Sequence, residues 1–492
     1  MASFSDGVIA DSVAVLNLEL RGPAPSGEAN HAARKAVVDQ INSDPSIPLG
    51  VKGAIDKLAR VEANIESLRT ICWEKDGIAG MPVLDIILER LCTRSMIAGT
   101  EQASGGSPLV TVEPFPSNFL ETDNWDKLLD DVVEYVLSAY VIIRPEGGRW
   151  RIESPLSNTS VVLHDPETFR LVMTLVRPHS GRELRALSKR SCSRLLLPTL
   201  AFAGILHDVD KDDPGDKSLW DYHDLLFHSR SRLGRHGYGY GGTFRGIGSY
   251  PAPDAVMPIA YEKRVSLPRP NIDHLRESDP PFARVLEDRR SIRQFGDAPL
   301  RLEQLGEFLF RSCRTKAVSS DAGEWQTALR PSPGGGAVHE LEVYPLIRQC
   351  EGISSGLYYY HPQRHELCLV QAPNAATERL LQSAWYTLGK AGHPPVLFLI
   401  TARFDRVFWK YESMGYALVL KDLGALYQTM YLTATAMGLA SCALGGGDSD
   451  LFAEASGRPY YREGAVGEFV LGTRSTGVKN GYLDTVSHQQ MR

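Results

Sequence analysis

Three guanidiniums and a hydroxyl stand within five residues at Arg289-Arg290-Ser291-Ile292-Arg293, inside the segment Asp288 to Phe295. Guanidiniums capture phosphate oxygens in pairs, so this cluster reads as an anchor for a phosphate monoester rather than as a solvated basic face. A second feature, Pro331-Ser332-Pro333-Gly334-Gly335-Gly336, is a loop whose small residues let a ligand approach the backbone closely. Other candidate chemistry falls away. His223, Asp224 and His228 could ligate a metal, but helical spacing brings only Asp224 and His228 to one face, and no metal is expected. Gly237-Tyr238-Gly239-Tyr240-Gly241-Gly242 has no strand before it and no helix after it, so it is not a dinucleotide fingerprint. The seven cysteines, Cys72, Cys92, Cys192, Cys313, Cys350, Cys368 and Cys442, never form a C-x-x-C pair, the pattern of packing residues in a reducing compartment.

These features must be positioned by a chain of 492 residues, long enough for two or three domains. The net charge of -6 argues against a general nucleic-acid binder, so any basic site must be local. Leu195 to Leu206, the longest apolar-rich run, is too short to span a bilayer, and the chain opens without the pattern of a signal peptide. A cytoplasmic protein with no membrane partner is expected.

Residues 1–115 read as helical stretches (Val51 to Thr70, Pro82 to Ile97) followed by a Gly/Ser-rich break at Gly99 to Ser107. Beyond them, strand patterns at Ala139 to Arg144, Arg149 to Ile152 and Ser160 to Leu163 precede helical patterns at Pro166 to Val176, Gly181 to Ser188 and Ser191 to Ala203. Strands followed by three short helices predict a winged-helix-like module. The acidic flank His207 to Asp213 would repel nucleic-acid phosphates, which leaves pairing of a peptide along a strand edge as its use. Trp220 to Gly248 reads as a connecting segment, and Pro-rich Pro251 to Pro281 separates two halves. After it come a helix at Leu302 to Arg314, with Leu302, Leu305, Phe308 and Leu309 on one stripe, and a strand at Glu340 to Ile347. A hairpin joins Gly356 to Tyr360 with Glu366 to Val370, and Val396 to Ile400 reads as a buried strand. A long helix at Glu412 to Met437, with Leu420, Leu423 and Tyr427 on one face, and a strand at Phe469 to Leu471 complete an α+β core.

The order of these pieces resembles the FMN-dependent nitroreductase superfamily, and within it the SagB-type azoline dehydrogenases and cyanobactin oxidases. The Arg289 to Phe295 run is similar to the superfamily's phosphate-binding opening, Pro331 to Gly335 to its flavin-contacting loop, and Leu471-Gly472-Thr473-Arg474 to its terminal strand with a second cation. Lys410-Tyr411, with Tyr416, Leu420, Asp422, Gly424 and Gln428 at the later spacings, carries the subfamily likeness; Met414 and Ala417 stand where the family often has Arg. Trp220 to Arg232 resembles a segment that precedes the flavin domain in these dehydrogenases. The resemblance implies FMN held by Arg289, Arg290, Ser291, Arg293, Pro331, Ser332, Gly334, Gly335, Gln428, Gly445, Gly446 and Arg474. It also implies a homodimer. The expected organisation is a helical or winged-helix-like domain at 1–115, a winged-helix-like peptide-binding domain at 116–215, a linker at 216–280 and a nitroreductase-like FMN domain at 281–492.

Aromatising a thiazoline or oxazoline removes a proton and a hydride from adjacent carbons, which calls for a base on one side and a hydride acceptor on the other. The expectation is that Lys410 or Tyr411 takes the proton, the ammonium favouring the phenolate of its neighbour. The substrate would be an azoline-containing peptide, leader-bearing or carrier-bound, with a cyclodehydratase as a further partner. Two other classes stand beside this one: an NAD(P)H-dependent nitro or quinone reductase, and a non-catalytic peptide-binding subunit of a modifying complex.

Overall fold

The computed structural model describes residues 15–20, 28–93, 96–103, 105–114, 129–191, 193–211, 219–236, 238–258, 261–319 and 325–475. Cys192, Gly237 and Asp212-Asp213 lie outside the described residues. The chain forms two compact units, Met1–Tyr240 and Gly241–Arg492.

In the first unit, helices Leu49–Arg60, Ile65–Asp76 and Met81–Thr93 turn Val51, Ala54, Ile55, Leu58, Leu68, Leu84 and Leu88 onto a sheet. That seven-stranded sheet runs Ala63–Asn64, Val15–Leu20, Ile97–Gln102, Pro108–Glu113, Ser160–Leu163, Arg149–Glu153, Ile142–Glu146. Two expectations are corrected here. The break at Gly99 to Ser107 is largely strand, because Gly99 is paired on both sides, with Leu18 and with Val112, and sheet pairing overrides its local turn preference. Strands on either side of residue 115 share this sheet, Val112 facing Val161, so 1–115 and 116–215 have one core rather than two.

The winged-helix-like portion keeps its three helices, at Pro166–Thr174, Gly181–Ser191 and Leu196–Phe202. Its own sheet consists of Leu206–Asp208, Glu134–Leu137 and His179–Ser180, because Arg149–Glu153 and Ser160–Leu163 are taken by the larger sheet. Glu101 ties the two sheets' elements together. Only 2% exposed, it accepts Ser193 Oγ (2.6 Å) and the backbone N–H groups of Arg194 (2.8 Å) and Leu195 (3.2 Å), donors that precede the last helix.

The second unit is built on a seven-stranded antiparallel sheet with helices on both faces. Its strands are β1 (Arg264–Ser266), β2 (Leu341–Ile347), β3 (Gly356–His361), β4 (Glu366–Gln371), β5 (Val396–Arg403), β6 (Leu439–Leu444) and β7 (Glu463–Thr473), in the order β1-β4-β3-β2-β5-β7-β6. Its helices include α1 (Phe282–Asp288), α2 (Leu302–Cys313), α3 (Ala375–Thr387), α4 (Phe404–Lys410), α5 (Gly415–Ala436) and α6 (Ser449–Ser456). The apolar run of β5 is explained by this sandwich. Phe398 and Ile400 pack with Phe308, Leu423, Met430 and Phe469 on one face, while Leu397 and Leu399 pack with Tyr344, Tyr359 and Phe452 on the other. Leu420 departs from the expected stripe of α5: Leu423 is buried, but Leu420 is 41% exposed.

Part of the expected 216–280 linker is built into this unit. Gly241 and Gly242 pair with Glu412 and Tyr411, and β1 pairs with β4, so hydrogen bonding and not composition decides its structure. Among the described residues no helix is long and apolar enough to cross a membrane.

Replacing Glu101 with Ala removes the acceptor shared by Ser193 Oγ and the Arg194 and Leu195 N–H groups and is expected to cost about 3 kcal/mol of unfolding free energy, whereas Glu101→Gln, which keeps an acceptor, costs less. Urea unfolding checks this; equal losses in the two variants would refute the capping role.

Candidate active site

Residues 289–296 leave α1 as an extended segment and run along β6. Ile292 N–H donates to Ser441 O (2.8 Å) and Gly296 N–H to Thr473 O (2.8 Å). Tyr431 on α5 fixes the start of this segment. Its hydroxyl meets Ser291 Oγ at 2.8 Å and accepts Ala443 N–H at 2.7 Å, and the Arg289 guanidinium lies 5.3 Å from its ring centre. Among the described residues, none of Arg289, Arg290, Arg293 and Arg474 forms an ion pair with a carboxylate. Surface cations kept clear of internal anions are free to meet a phosphate. Arg474 Nε donates to Leu439 O (3.2 Å), and the Arg474 backbone passes beside Gly296 at the end of this segment.

The Pro331 to Gly336 loop is held from two sides. Gly335 N–H donates to Asp422 on α5 (2.8 Å), and Gly336 O accepts Lys410 Nζ from the end of α4 (3.1 Å). Gly336 has φ +58°, and a Cβ there would fall 2.1 Å from the Tyr411 hydroxyl and 2.8 Å from Lys410 Nζ. Only glycine satisfies both conditions. Gln428 and the Gly445-Gly446 pair are exposed, on α5 and just after β6.

Lys410 Nζ has no carboxylate partner among the described residues. It sits 5.2 Å from the ring centres of Phe244 and Tyr411 and 5.8 Å from that of Trp325. Burial first and the Arg406 guanidinium second push its pKa down. Arg406 is itself fully buried on three backbone carbonyls, Val338 O (2.7 Å), Pro253 O (2.6 Å) and Gln326 O (2.6 Å). Tyr411 moves the other way. Burial, then Asp422 and Glu340, raise its pKa, which reverses the expectation that Lys410 favours the phenolate. Burial and the carboxyls behind the loop disfavour a phenolate, although Lys410 Nζ lies beside the Tyr411 ring.

Sequence reasoning missed that carboxyl pair. Glu340, 1% exposed, interacts side chain to side chain with Asp422, and the two line a cavity of about 10 Å³ with Arg330, Ser332, Gly334 and His339, room for about one water molecule. Glu340 Oε1 and Arg330 Nε and Nη2 have no hydrogen-bond partner among the described residues, Nη2 lying 3.8 Å from Glu342 Oε1. Burial first and Asp422 second push the Glu340 carboxyl up to about 7, and burial raises Asp422 as well. His339 is pushed down to about 4 by burial and by Arg330 and Arg406. Asp422 was legible only as a spacing, and Glu340 gave no signal at all. Of the metal-type residues considered, His223 and Asp224 group with Asp221, their ligand atoms within 4.8 Å, but all three are exposed.

Comparison with known proteins agrees with this architecture. Residues 286–472 match the nitroreductase family model, and residues 135–237 match the model described as cyanobactin oxidase ThcOx. The second unit is therefore a nitroreductase-family domain, and a cyanobactin-oxidase-type domain precedes it. Protein MJ1384 of Methanocaldococcus jannaschii, named as a nitroreductase, is 28% identical over 176 residues, 36% of this chain and 81% of its own length. The microcin B17-processing protein McbC of Escherichia coli is 30% identical over 117 residues, 22% of this chain; the match spans 42% of McbC. Among solved structures, a nitroreductase-type protein of Ralstonia eutropha has a TM-score of 0.36 at 22% identity, covering 48% of this chain and 99% of that one. The E. coli microcin synthetase McbBCD complex with truncated pro-MccB17 bound has a TM-score of 0.33 at 23% identity, covering 38% and 68%.

Glu340 yields a pH dependence with a definite sign. Its folded pKa stands above the ordinary 4.5, so the stability it contributes is fully present below pH 4.5 and is lost as pH rises through about 7. The difference in unfolding free energy between the natural chain and Glu340→Gln is therefore expected to shrink by about 3 kcal/mol over that interval. Taking the difference cancels Glu468, also raised to about 7, and His339. A pH-independent difference would contradict it.

Proposed function

We propose that this protein is an FMN-dependent dehydrogenase that converts thiazoline or oxazoline rings of a peptide to thiazole or oxazole. The observation that carries the reading is Lys410: an amine of lowered pKa, without an anionic partner, set beside Tyr411 over the glycine loop of a nitroreductase-family domain. The match of residues 135–237 to a cyanobactin oxidase model and the likeness to a microcin B17-processing protein support a peptide substrate. A nitroreductase domain alone would leave the first unit without a task.

The residues present fit FMN. Arg289, Arg290 and Arg293, which lack carboxylate partners, would take the phosphate with Ser291; Pro331 to Gly335, Gln428 and Gly445-Gly446 would lie along the ring system, with Arg474 as a distal cation. Bound FMN supplies the two-electron acceptor for the hydride. The rest of the work falls to the chain. Neutral Lys410 takes the Cα proton, which the neighbouring imine and carbonyl acidify, and the resulting ammonium is held by Gly336 O and by the faces of Phe244 and Tyr411. Tyr411, with its raised pKa, remains a phenol and offers a hydrogen bond to the same ring. We assign the base to Lys410 on these grounds.

The substrate is a leader-bearing or carrier-bound azoline peptide made by a cyclodehydratase partner. In this reading the first unit holds the leader of the peptide, and a homodimer forms through the exposed Tyr416 and Leu420 face of α5.

Lys410→Met is expected to lower azole formation about 100- to 10,000-fold with FMN still bound, and Tyr411→Phe by about tenfold. Loss of two hydrogens from an azoline peptide, followed by mass spectrometry without NAD(P)H, is the assay. Full turnover by flavin-loaded Lys410→Met would eliminate the base assignment, and NADPH-driven quinone turnover without azoline oxidation would replace the whole reading. Arg289→Ala and Arg293→Ala are each expected to weaken FMN about tenfold or more, read by flavin release on dilution.

A further inference from the structure

The segment that crosses Lys410 and Tyr411 has no assigned role. Gly241–Gly242 pair antiparallel with Glu412 and Tyr411, Phe244 N–H donates to Lys410 O (2.9 Å), and Gly246 N–H donates to Trp409 O (3.0 Å). Side chains repeat the connection. Thr243 Oγ1 donates to Glu412 (2.7 Å), Arg245 Nε to Phe408 O (3.0 Å), and Trp409 Nε1 returns a bond to Tyr250 O (3.0 Å). Residues 241–250 therefore follow the end of α4 closely, and Gly246 admits no side chain, since a Cβ there would lie 2.2 Å from the Trp409 ring.

Phe244 is the centre of this strap. Its backbone is left-handed, φ +54°, a conformation that a bulky aromatic residue adopts only when its surroundings enforce it. What enforces it is a set of rings: edge-on packing against Trp409 (6.0 Å) and Trp325 (6.3 Å), which themselves stack at 5.0 Å. The Phe244 face then stands 5.2 Å from Lys410 Nζ.

We propose that the strap 241–250 sets the position of Lys410, with Phe244 as the positioning residue that closes one side of its ammonium site and leaves Gly336 O as its one hydrogen-bond acceptor among the described residues. The inference takes Lys410 as the working amine, and so rests on the reading above. Its mechanism is geometric. A lysine side chain has four rotatable bonds, and only fixed walls can hold its nitrogen against one carbonyl.

The test uses Phe244→Gly, which accepts the left-handed backbone without strain while removing the ring, and Phe244→Tyr, which keeps the ring. The purified full-length protein, without peptide substrate, is treated with limiting acetic anhydride, and Lys410 acetylation relative to exposed Lys421 is read by peptide mass spectrometry. In Phe244→Gly the ratio is expected to rise about threefold or more, and in Phe244→Tyr to stay within about a factor of two of the natural chain. On an azoline peptide, Phe244→Gly is expected to lower kcat by about tenfold with KM little changed, and Phe244→Tyr to restore it. An unchanged acetylation ratio in Phe244→Gly overturns the inference. A raised ratio in a protein that oxidises no azoline leaves the inference standing and removes the functional reading.

Discussion

The candidate site depends on one missing methyl group. Gly336 lies where a Cβ would overlap the Tyr411 hydroxyl, and its carbonyl is the acceptor for Lys410 Nζ. Backbone, phenol and amine can share that space only because the loop residue is glycine at positive φ. The neighbouring Gly335 N–H is held by Asp422, so a single dipeptide is fastened to α5 on one side and to the end of α4 on the other. The spacing between these two helices is in turn fixed by the sheet beneath them, through the packing of Phe469 and Phe398 against Leu423 and Met430. A disturbance of the β5–β7 core would thus reach the site as a change in loop position.

Electrostatics around this dipeptide is divided by the loop itself. On the α4 side stand cations without carboxylate partners, Lys410 and Arg406, the latter satisfied wholly by carbonyl oxygens. On the α5 side stand two carboxyls, Glu340 and Asp422, close enough that burial and mutual repulsion keep a proton between them near neutrality. Each half disfavours its own full ionisation. The arrangement lowers the pKa of the amine and raises that of the phenol, so neither group is pushed toward its charged form. An Asp422 moved away from Gly335 would relax both the loop and this separation.

How much of this was legible in the chain depends on the range of the forces involved. The loop at Pro331 to Gly336 and the buried strand β5 are local patterns, and the structure has a loop and a buried strand there. The reversal of Tyr411 arose because burial and two carboxyls from other elements, Asp422 and Glu340, act on its hydroxyl, and none of these is visible from the adjacency of Lys410 in sequence. Phe244 and Trp325 were invisible for the same reason: a wall of a site, built of residues 166 and 85 positions before Lys410, carries no local signature. The N-terminal boundary failed differently. The boundary at 115 was set a little beyond the Gly/Ser-rich stretch Gly99 to Ser107, but sheet pairing of Pro108–Glu113 with Ser160–Leu163 crosses it.

Seen together, the strap and the loop explain why the stretch after Tyr240 cannot be a free tether. A tether is soft, and its composition here, rich in Gly, Arg and Tyr, suggested softness. Yet the same glycines are what permit contact: Gly242 lies against Tyr411 and the Lys410 stem, at 3.6 and 3.7 Å from the position of a Cβ, and Gly246 lies under Trp409. Small residues in a connecting segment thus have two physical meanings, freedom where nothing is near and close approach where something is. Hydrogen bonds at Gly241, Phe244 and Gly246 decide for the second, which ties the beginning of the nitroreductase-family unit directly to its reactive lysine.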